Sequence, residues 1–272
     1  MPELPDLEVL KEVLTSRILD REIDSARALR PGIAKTASPM LTSLSGRAFS
    51  SVSRRGKYLI LTIEPRLHLV VHLMIAGRFV LCRGGTRITK ATGLQIAFAD
   101  GEDLRLIENG PIKLAKVHAV EDPLDVEGVA SAGVEPLSPD FTVQLLKDLG
   151  RGRRCHLKKL LTDQRAIAGI GSAYADEIMF ASHLSPVRYV STLSDGEFVR
   201  LHDATVSVLS EAIEEIRNRI GDSLFTDDIR DFLVVYKRTG EACPICGAKI
   251  AEIRYANTRT YYCPVCQGEE GK

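Results

Sequence analysis

The chain has 272 residues, 44% hydrophobic and 26% charged, with 36 basic and 36 acidic side chains and a formal net charge of zero. That length suffices for two or three units with their own cores. The balanced charge argues against a uniformly basic nucleic-acid binder but leaves room for segregated basic faces. No apolar run approaches the roughly eighteen residues of a membrane span. The acid-bearing start, MPELPDLEVL, lacks the basic and apolar regions of a signal peptide, so a cytoplasmic or nucleoid location is expected.

In chain order, Pro2 follows the initiator Met, whose removal would leave a secondary amine at the terminus. Such an amine, with a reference pKa of about 8, is partly unprotonated near neutrality and can attack an electrophilic carbon to form an iminium. Glu3 beside it can carry the accompanying proton. From Asp6 to Leu19 the apolar residues Leu7, Val9, Leu10, Val13, Leu14, Ile18 and Leu19 recur at helical steps, with Pro5 and Asp6 suited to the first turn. Residues 47–107 read as short strands: Tyr58–Ile63, Leu67–Leu73, Arg78–Cys82, Leu94–Phe98 and Leu104–Ile107, broken by Gly, Pro and Asp. They point to an antiparallel sandwich or barrel. Lys57 opens the first of them from a basic turn.

The Pro- and acid-rich stretch 108–140 reads as a linker. Helices follow over Phe141–Leu149, with Gly150 as a stop, over Leu157–Thr162, over Ala173–His183 with Ser172 as N-cap, and over Asp195–Ile220 after Ser194. Exposed amides at Gly171 and Ser172, with Lys158 and Lys159 nearby, suit a phosphate. Arg151, Arg153, Arg154, Lys158 and Lys159 form one basic cluster, and Lys237, Arg238, Arg254 and Arg259 surround the C-terminal cysteines.

Those cysteines are Cys243 and Cys246, then sixteen residues, then Cys263 and Cys266. Two CxxC pairs so spaced fit one tetrahedral Zn²⁺ with a β-hairpin between them. Iron in an S₄ site, two disulfides, or unliganded thiols are the competing readings. Cys82 and Cys155 read as reduced thiols.

These pieces together resemble the formamidopyrimidine-DNA glycosylase and endonuclease VIII family. The resemblance rests on Pro2-Glu3-Leu4-Pro5, Arg55-Gly56-Lys57-Tyr58 and His72-Leu73. It extends through Leu161–Gln164, Ala168–Gly171 and Tyr174–Glu177 to Val235-Tyr236 and Thr258–Gln267. It implies an α+β multidomain chain: an N-terminal β-sandwich with flanking helices (residues 1-125), a helix–two-turn–helix domain (126-222) and a C-terminal zinc-finger β-hairpin (223-272). It implies a bifunctional DNA glycosylase with AP lyase activity, in which Pro2 forms a Schiff base at the sugar C1′, Glu3 is the acid–base partner and Lys57 contacts phosphate or lesion. Arg259, Lys158, Gly171, Ser172, Tyr236 and Ile75 would meet DNA in a cleft between lobes. Cys243, Cys246, Cys263 and Cys266 would hold a structural Zn²⁺. The implied partner is damaged DNA, bound by a monomer without membrane or small-molecule cofactor.

The departures concern recognition. Asp6 stands where the family has Glu, Ile75 where it has a gap-filling Met, and Ser172 where it has Asn. Glu108-Asn-Gly-Pro-Ile-Lys113 replaces the stretch that supplies an Arg and an aromatic wedge, and the loop around Ile220 to Arg230 is short. Met74, if in a strand, would face away from Ile75. The expectation is retained chemistry on non-standard or exposed lesions. The alternative is a damaged-DNA binding protein with little or no base excision.

Overall fold

The computed structural model describes residues 1–224, 229–255 and 258–268. The chain folds as two compact units, Met1–Ser131 with Glu215–Asp228, and Ala132–Glu214 with Ile229–Lys272. The first unit begins with α1 (Leu4–Ile18) and β1 (Ile23–Ala28). It continues through β2 (Ser51–Arg55), β3 (Tyr58–Ile63), β4 (Leu67–His72), β5 (Gly77–Arg83), β6 (Thr92–Phe98), β7 (Glu102–Glu108) and β8 (Lys116–Val120) to the short α2 (Glu127–Ala130). The strands make two antiparallel four-stranded sheets, ordered β1-β6-β7-β5 and β2-β3-β4-β8.

Alternating side chains explain the sandwich. Leu59, Leu61, Leu69 and Val71 from one sheet and Leu94, Ile96, Leu104 and Leu106 from the other share one core. Helix α1 adds Leu7, Leu10, Leu14 and Ile18 at steps of three and four. The opposite face of β3 and β4 is also covered, because Ile60, Val70 and Val120 pack under Val126 and Val129. Burial on both faces is why β3 and β4 read as continuous apolar runs.

Three strands are absent from the sequence reading: β1, β2 and β8, all at sheet edges. Their sequences, IDSARA, SVSRR and KVHAV, are polar or mixed, as an edge strand with one solvated side allows. The expected linker is corrected accordingly, since residues 116–120 pair in register with β4 from Lys116 against His72 to Val120 against His68.

The second unit carries α3 (Val143–Gly150), α4 (Leu157–Thr162), α5 (Ser172–Ala181), much of α6 (Asp195–Ile220), and a hairpin of β9 (Ala251–Tyr255) and β10 (Thr258–Tyr262). Thr142 caps α3 through Leu145 N–H at 3.1 Å. Ser194 and Glu197 form a reciprocal cap on α6, with Ser194 N–H donating to Glu197 at 2.7 Å. Two local expectations are corrected. Ser172 is the first helical residue of α5 and Gly171 is its cap. Gly150 is the last residue of α3 rather than a left-handed stop, and its smallness answers packing: a Cβ there would lie 2.6 Å from Val190 Cγ1. Among the described residues no helix is long and apolar enough to cross a membrane.

Candidate functional site

In the first unit, Pro2 is buried and Glu3, 5% exposed, caps α1. The Glu3 backbone N–H donates to the Asp6 carboxylate at 2.8 Å, and Asp6 itself is buried. Asp6 therefore satisfies an orphan amide at a helix start where a carboxylate also complements the dipole. This fixes the backbone between Pro2 and the first helical turn.

Lys57 sits in the two-residue turn between β2 and β3, where Arg55 pairs with Tyr58 and Gly56 takes φ +55°. It is only 7% exposed. Arg54 ties this turn to α1, donating to Glu8 at 2.8 Å and to the Gly56 carbonyl at 3.0 Å. Burial alone would raise the Glu8 carboxyl, but hydrogen bonds and charge from Lys11 and Arg54 hold it below its ordinary range. The turn carrying Lys57 and the helix beginning at Glu3 are thus cross-linked within one unit.

His72, at the end of β4, accepts a hydrogen bond at Nδ1 from Met74 N–H at 2.9 Å. A neutral ring that accepts at Nδ1 carries its proton on Nε2, so His72 offers a donor. Burial, then the charges of Lys57 and Lys116, push its pKa down to about 4. Tyr58 meets the ring edge-on at 4.7 Å, and the close approach of Gly128 to the Tyr58 hydroxyl leaves no room for a Cβ there.

Beyond His72 the chain turns. Met74 has φ +54°, outside any strand, so the alternation argument about its facing does not apply. Ile75 lies at the turn, 60% exposed. Ile112, in the stretch Glu108–Lys113, is 65% exposed. The two turns adjoin, since a Cβ on Gly110 would lie 3.7 Å from Ala76 Cβ. Buried Glu108 anchors the second turn, accepting from Leu114 N–H, Ala115 N–H and Arg30, while Arg30 also donates to the Lys113 carbonyl at 2.7 Å. Sequence reasoning passed over Ile112; its only signal is an isolated apolar residue between Pro111 and Lys113. The expected short loop around Ile220 to Arg230 lies partly outside the described residues.

In the second unit the expected DNA-contacting groups are held by buried side chains from α4 and α5. Lys158 is directed inward: its ammonium lies 2.7 Å from Asp176 and donates to the Arg259 carbonyl at 2.6 Å. Asp176 also accepts from Tyr261 N–H at 3.2 Å. One lysine and one carboxylate thus engage the outer edge of β10 at alternate residues. Burial pushes the Asp176 carboxyl up, with Lys158 and the Tyr261 amide pulling the other way. Glu177 accepts three amides, Val234, Val235 and Tyr236, each at 2.9 Å. Burial raises its carboxyl too, against those three amides. Asp176 and Glu177 are thus docking groups in the middle of α5. Sequence gave no sign of this, because their partners lie 57 to 85 residues away.

Arg259 faces Arg254 directly across the hairpin. Its side chain is 55% exposed, and Glu252 lies 3.5 Å from it. A like-charged pair on one face is unfavourable alone and is suited to an anion. Gly171 precedes α5, and Gln164 staples the turn before it, accepting from Gly169 N–H at 3.0 Å and donating to the Ile170 carbonyl at 2.7 Å. Tyr236 stacks edge-on against Tyr261 at 5.4 Å.

The Sγ atoms of Cys243, Cys246, Cys263 and Cys266 all lie within 4.8 Å of one another. Cys243 and Cys266 are 3.7 Å apart, and Cys246 and Cys263 3.5 Å. These separations far exceed the about 2.05 Å of a disulfide. They are close to the roughly 3.8 Å edge that a tetrahedron with 2.3 Å metal–sulfur bonds requires. The four cysteines therefore fit a single tetrahedral metal ion, and Gly247, at φ +74°, closes the first knuckle by donating to the Cys243 carbonyl at 2.8 Å.

Comparison with known proteins agrees with this geometry. The formamidopyrimidine-DNA glycosylase N-terminal domain model matches residues 1–109, and the formamidopyrimidine-DNA glycosylase H2TH domain model matches residues 132–223. The formamidopyrimidine-DNA glycosylase of Pelotomaculum thermopropionicum is 34% identical over 98% of this chain and 99% of its own. That of Symbiobacterium thermophilum is 35% identical over 98% and 89%. Among solved structures, Lactococcus lactis Fpg in complex with abasic-site DNA superposes with a TM-score of 0.89 at 29% identity, covering 98% of this chain and 100% of that one. The same wild-type enzyme with N7-benzyl-Fapy-dG DNA gives 0.90 at 30%, with the same coverage. With its β-sandwich, its helical H2TH domain and its four-cysteine hairpin, the chain belongs to the formamidopyrimidine-DNA glycosylase family of base-excision repair enzymes, as a divergent member.

Proposed function

We propose that this chain is a bifunctional DNA glycosylase and AP lyase that works through an N-terminal proline. After loss of Met1, the Pro2 nitrogen attacks C1′ of the damaged nucleotide, and the base leaves with its bonding pair. As the amine adds, its N–H proton passes to Glu3, which delivers it to O4′ as the sugar ring opens, giving an iminium between Pro2 and C1′. Loss of a C2′ proton then expels the 3′ phosphate by β-elimination, and water releases the enzyme. The observation that carries this reading is the buried Pro2–Glu3 pair at a capped helix start, with buried Lys57 on a turn cross-linked to that helix.

In this reading residues 1-125 carry the chemistry, while 126-222 and 223-272 grip damaged DNA. His72 Nε2–H and Lys57 meet phosphate near the lesion, and Arg259, Tyr236 and the amides at Gly171 and Ser172 meet it from the second unit. Phosphate contacts of this kind offset the few kcal/mol needed to extrude a nucleotide. Lys158 acts by holding the Arg259 strand in place. The four cysteines hold Zn²⁺, which supplies the cross-link of the hairpin and no chemistry.

Ile75 and Ile112 set substrate choice. They are shorter than a Met and an aromatic ring and fill the gap left by an extruded base less completely, which favours single-stranded, bulky or otherwise exposed lesions. The test is borohydride trapping across a panel of lesions in single- and double-stranded DNA. A covalent adduct is expected, strongest on exposed lesions. If oxidised guanine opposite cytosine proved the best substrate, the specificity reading would fail. DNA binding without any adduct would leave only a damage-binding protein.

A further inference from the structure

An open cavity of about 580 Å³ lies within the second unit, on the side of the hairpin away from Arg259. Thr258 and Thr260 line it, and strand alternation turns Arg259, between them, to the other face. Its remaining walls come from the segment before α4, from α4 itself, and from Pro186 and Val187.

The cavity is electrostatically unbalanced. Arg154, Lys158 and Lys159 line it, with Arg254 at its edge from a strand position whose side chain shares the face of Arg259, and among the described residues no carboxylate does. Lys158 is matched by Asp176, and Arg254 lies 3.8 Å from Glu252. Arg154 and Lys159 are exposed, and their side chains have no ion pair or hydrogen bond among the described residues. His156 is fixed at the rim, donating from Nδ1 to the Val187 carbonyl at 2.8 Å and stacked on Tyr189 at 4.6 Å. A planar guanidinium, a mobile ammonium and threonine hydroxyls make a phosphate-binding set. Ile253, Pro186 and Val187 add an apolar wall, and the volume exceeds that of a bare ion.

From this geometry we infer a second anion site that takes a nucleotide phosphate, with Arg154 and Lys159 as its gripping residues and the apolar wall receiving the attached sugar or base. The phosphate belongs either to a DNA strand beyond the lesion contacts or to a free nucleotide. The choice of DNA as one source rests on the proposed function; the site itself does not.

Cys155 lines the same cavity and is half-buried, so its alkylation reports occupancy. The experiment measures iodoacetamide labelling of Cys155 by peptide mapping in the zinc-loaded full chain. The additions are a long lesion-containing duplex, a short duplex just spanning the lesion, and dATP. Wild type and Arg154→Ala/Lys159→Ala are compared. Several-fold protection by the long duplex but not the short one, lost in the double variant, establishes the DNA source. Protection by dATP alone, likewise lost in the variant, establishes the free-nucleotide source. In the DNA case the salt slope of long-duplex binding falls by about one in the variant, at about 0.9 for the one lost phosphate contact. Equal labelling under all conditions, or protection that survives the double substitution, overturns the site. Covalent trapping on the short duplex is expected unchanged in the variant. Its absence in wild type would count against the proposed function and leave the labelling result to decide this one.

Discussion

The two units fix their working residues in different ways. In the first, Pro2, Glu3 and Lys57 are placed largely by contacts close in sequence: a helix cap three residues long and a two-residue hairpin turn, joined by Arg54 to Glu8. In the second, Arg259 and Tyr236 are placed by Lys158, Asp176 and Glu177 across 57 to 101 residues, beside a four-cysteine cluster. The first site should therefore survive local perturbation as long as the sandwich folds. The grip in the second should depend on a few buried ionic groups and on the metal.

Removing the metal should be the most disruptive change. A structural Zn²⁺ contributes on the order of 10 kcal/mol to folding of its site. Chelation, or Cys246→Ser, should expose the region from residue 240 to proteolysis and abolish DNA retention, while β-sheet circular dichroism from the first unit persists. Simultaneous loss of both units would show that the first unit depends on the metal as well. Next is Glu3→Gln, which keeps the side chain's size but removes the acid. It should slow excision by about 10²–10⁴-fold and leave thermal stability nearly unchanged.

Lys158→Met tests the long-range tether. Removing one partner of a buried ion pair costs about 3–5 kcal/mol. Thermal unfolding should show that loss, and DNA affinity should fall through misplacement of Arg259. Lys158→Met/Asp176→Asn should recover most of the stability, because no lone carboxylate remains. If the single substitution were neutral for both readouts, Lys158 would not be a tether.

His72 gives the first unit a pH-dependent stability. Its folded pKa, about 4, lies below the ordinary 6.5. Between those values the unfolded chain binds the extra proton and the folded chain does not, so stability is full above pH 6.5 and declines as pH falls toward 4. The span corresponds to roughly 3 kcal/mol. Urea unfolding of wild type and His72→Gln across pH 7 to 4.5 should show a flatter profile in the variant.

Much of this was legible in the sequence, for physical reasons. Interior strands such as β3 and β4 announce themselves by apolar runs, and α1 by its spacing. The CxxC pairs carry their own geometry. Edge strands β1, β2 and β8 were not legible, since solvated edges accept polar residues. Nor were the roles of Lys158, Asp176 and Glu177, because a buried charge looks the same in sequence as a solvated one until its distant partner is known. Of the turn residues, Ile75 was legible only by resemblance and Ile112 not at all, since neither makes a local pattern.

Those two isoleucines should matter least to the fold. Being exposed at turns, Ile75→Ala and Ile112→Ala should each change stability by less than about 0.5 kcal/mol. In combination they should lower excision from duplex DNA more than from single strands, measured as a ratio of single-turnover rates. An unchanged ratio would remove them from substrate choice.

The central claim is that the imino terminus at Pro2 is the nucleophile. The most direct measurement is peptide mass mapping of the borohydride-trapped adduct on a lesion duplex. The expected product is a chain lacking Met1, with the reduced sugar bonded to the Pro2 nitrogen, and no adduct from Pro2→Gly. An adduct mapped to a lysine, or a fully active chain that retains Met1, would contradict it.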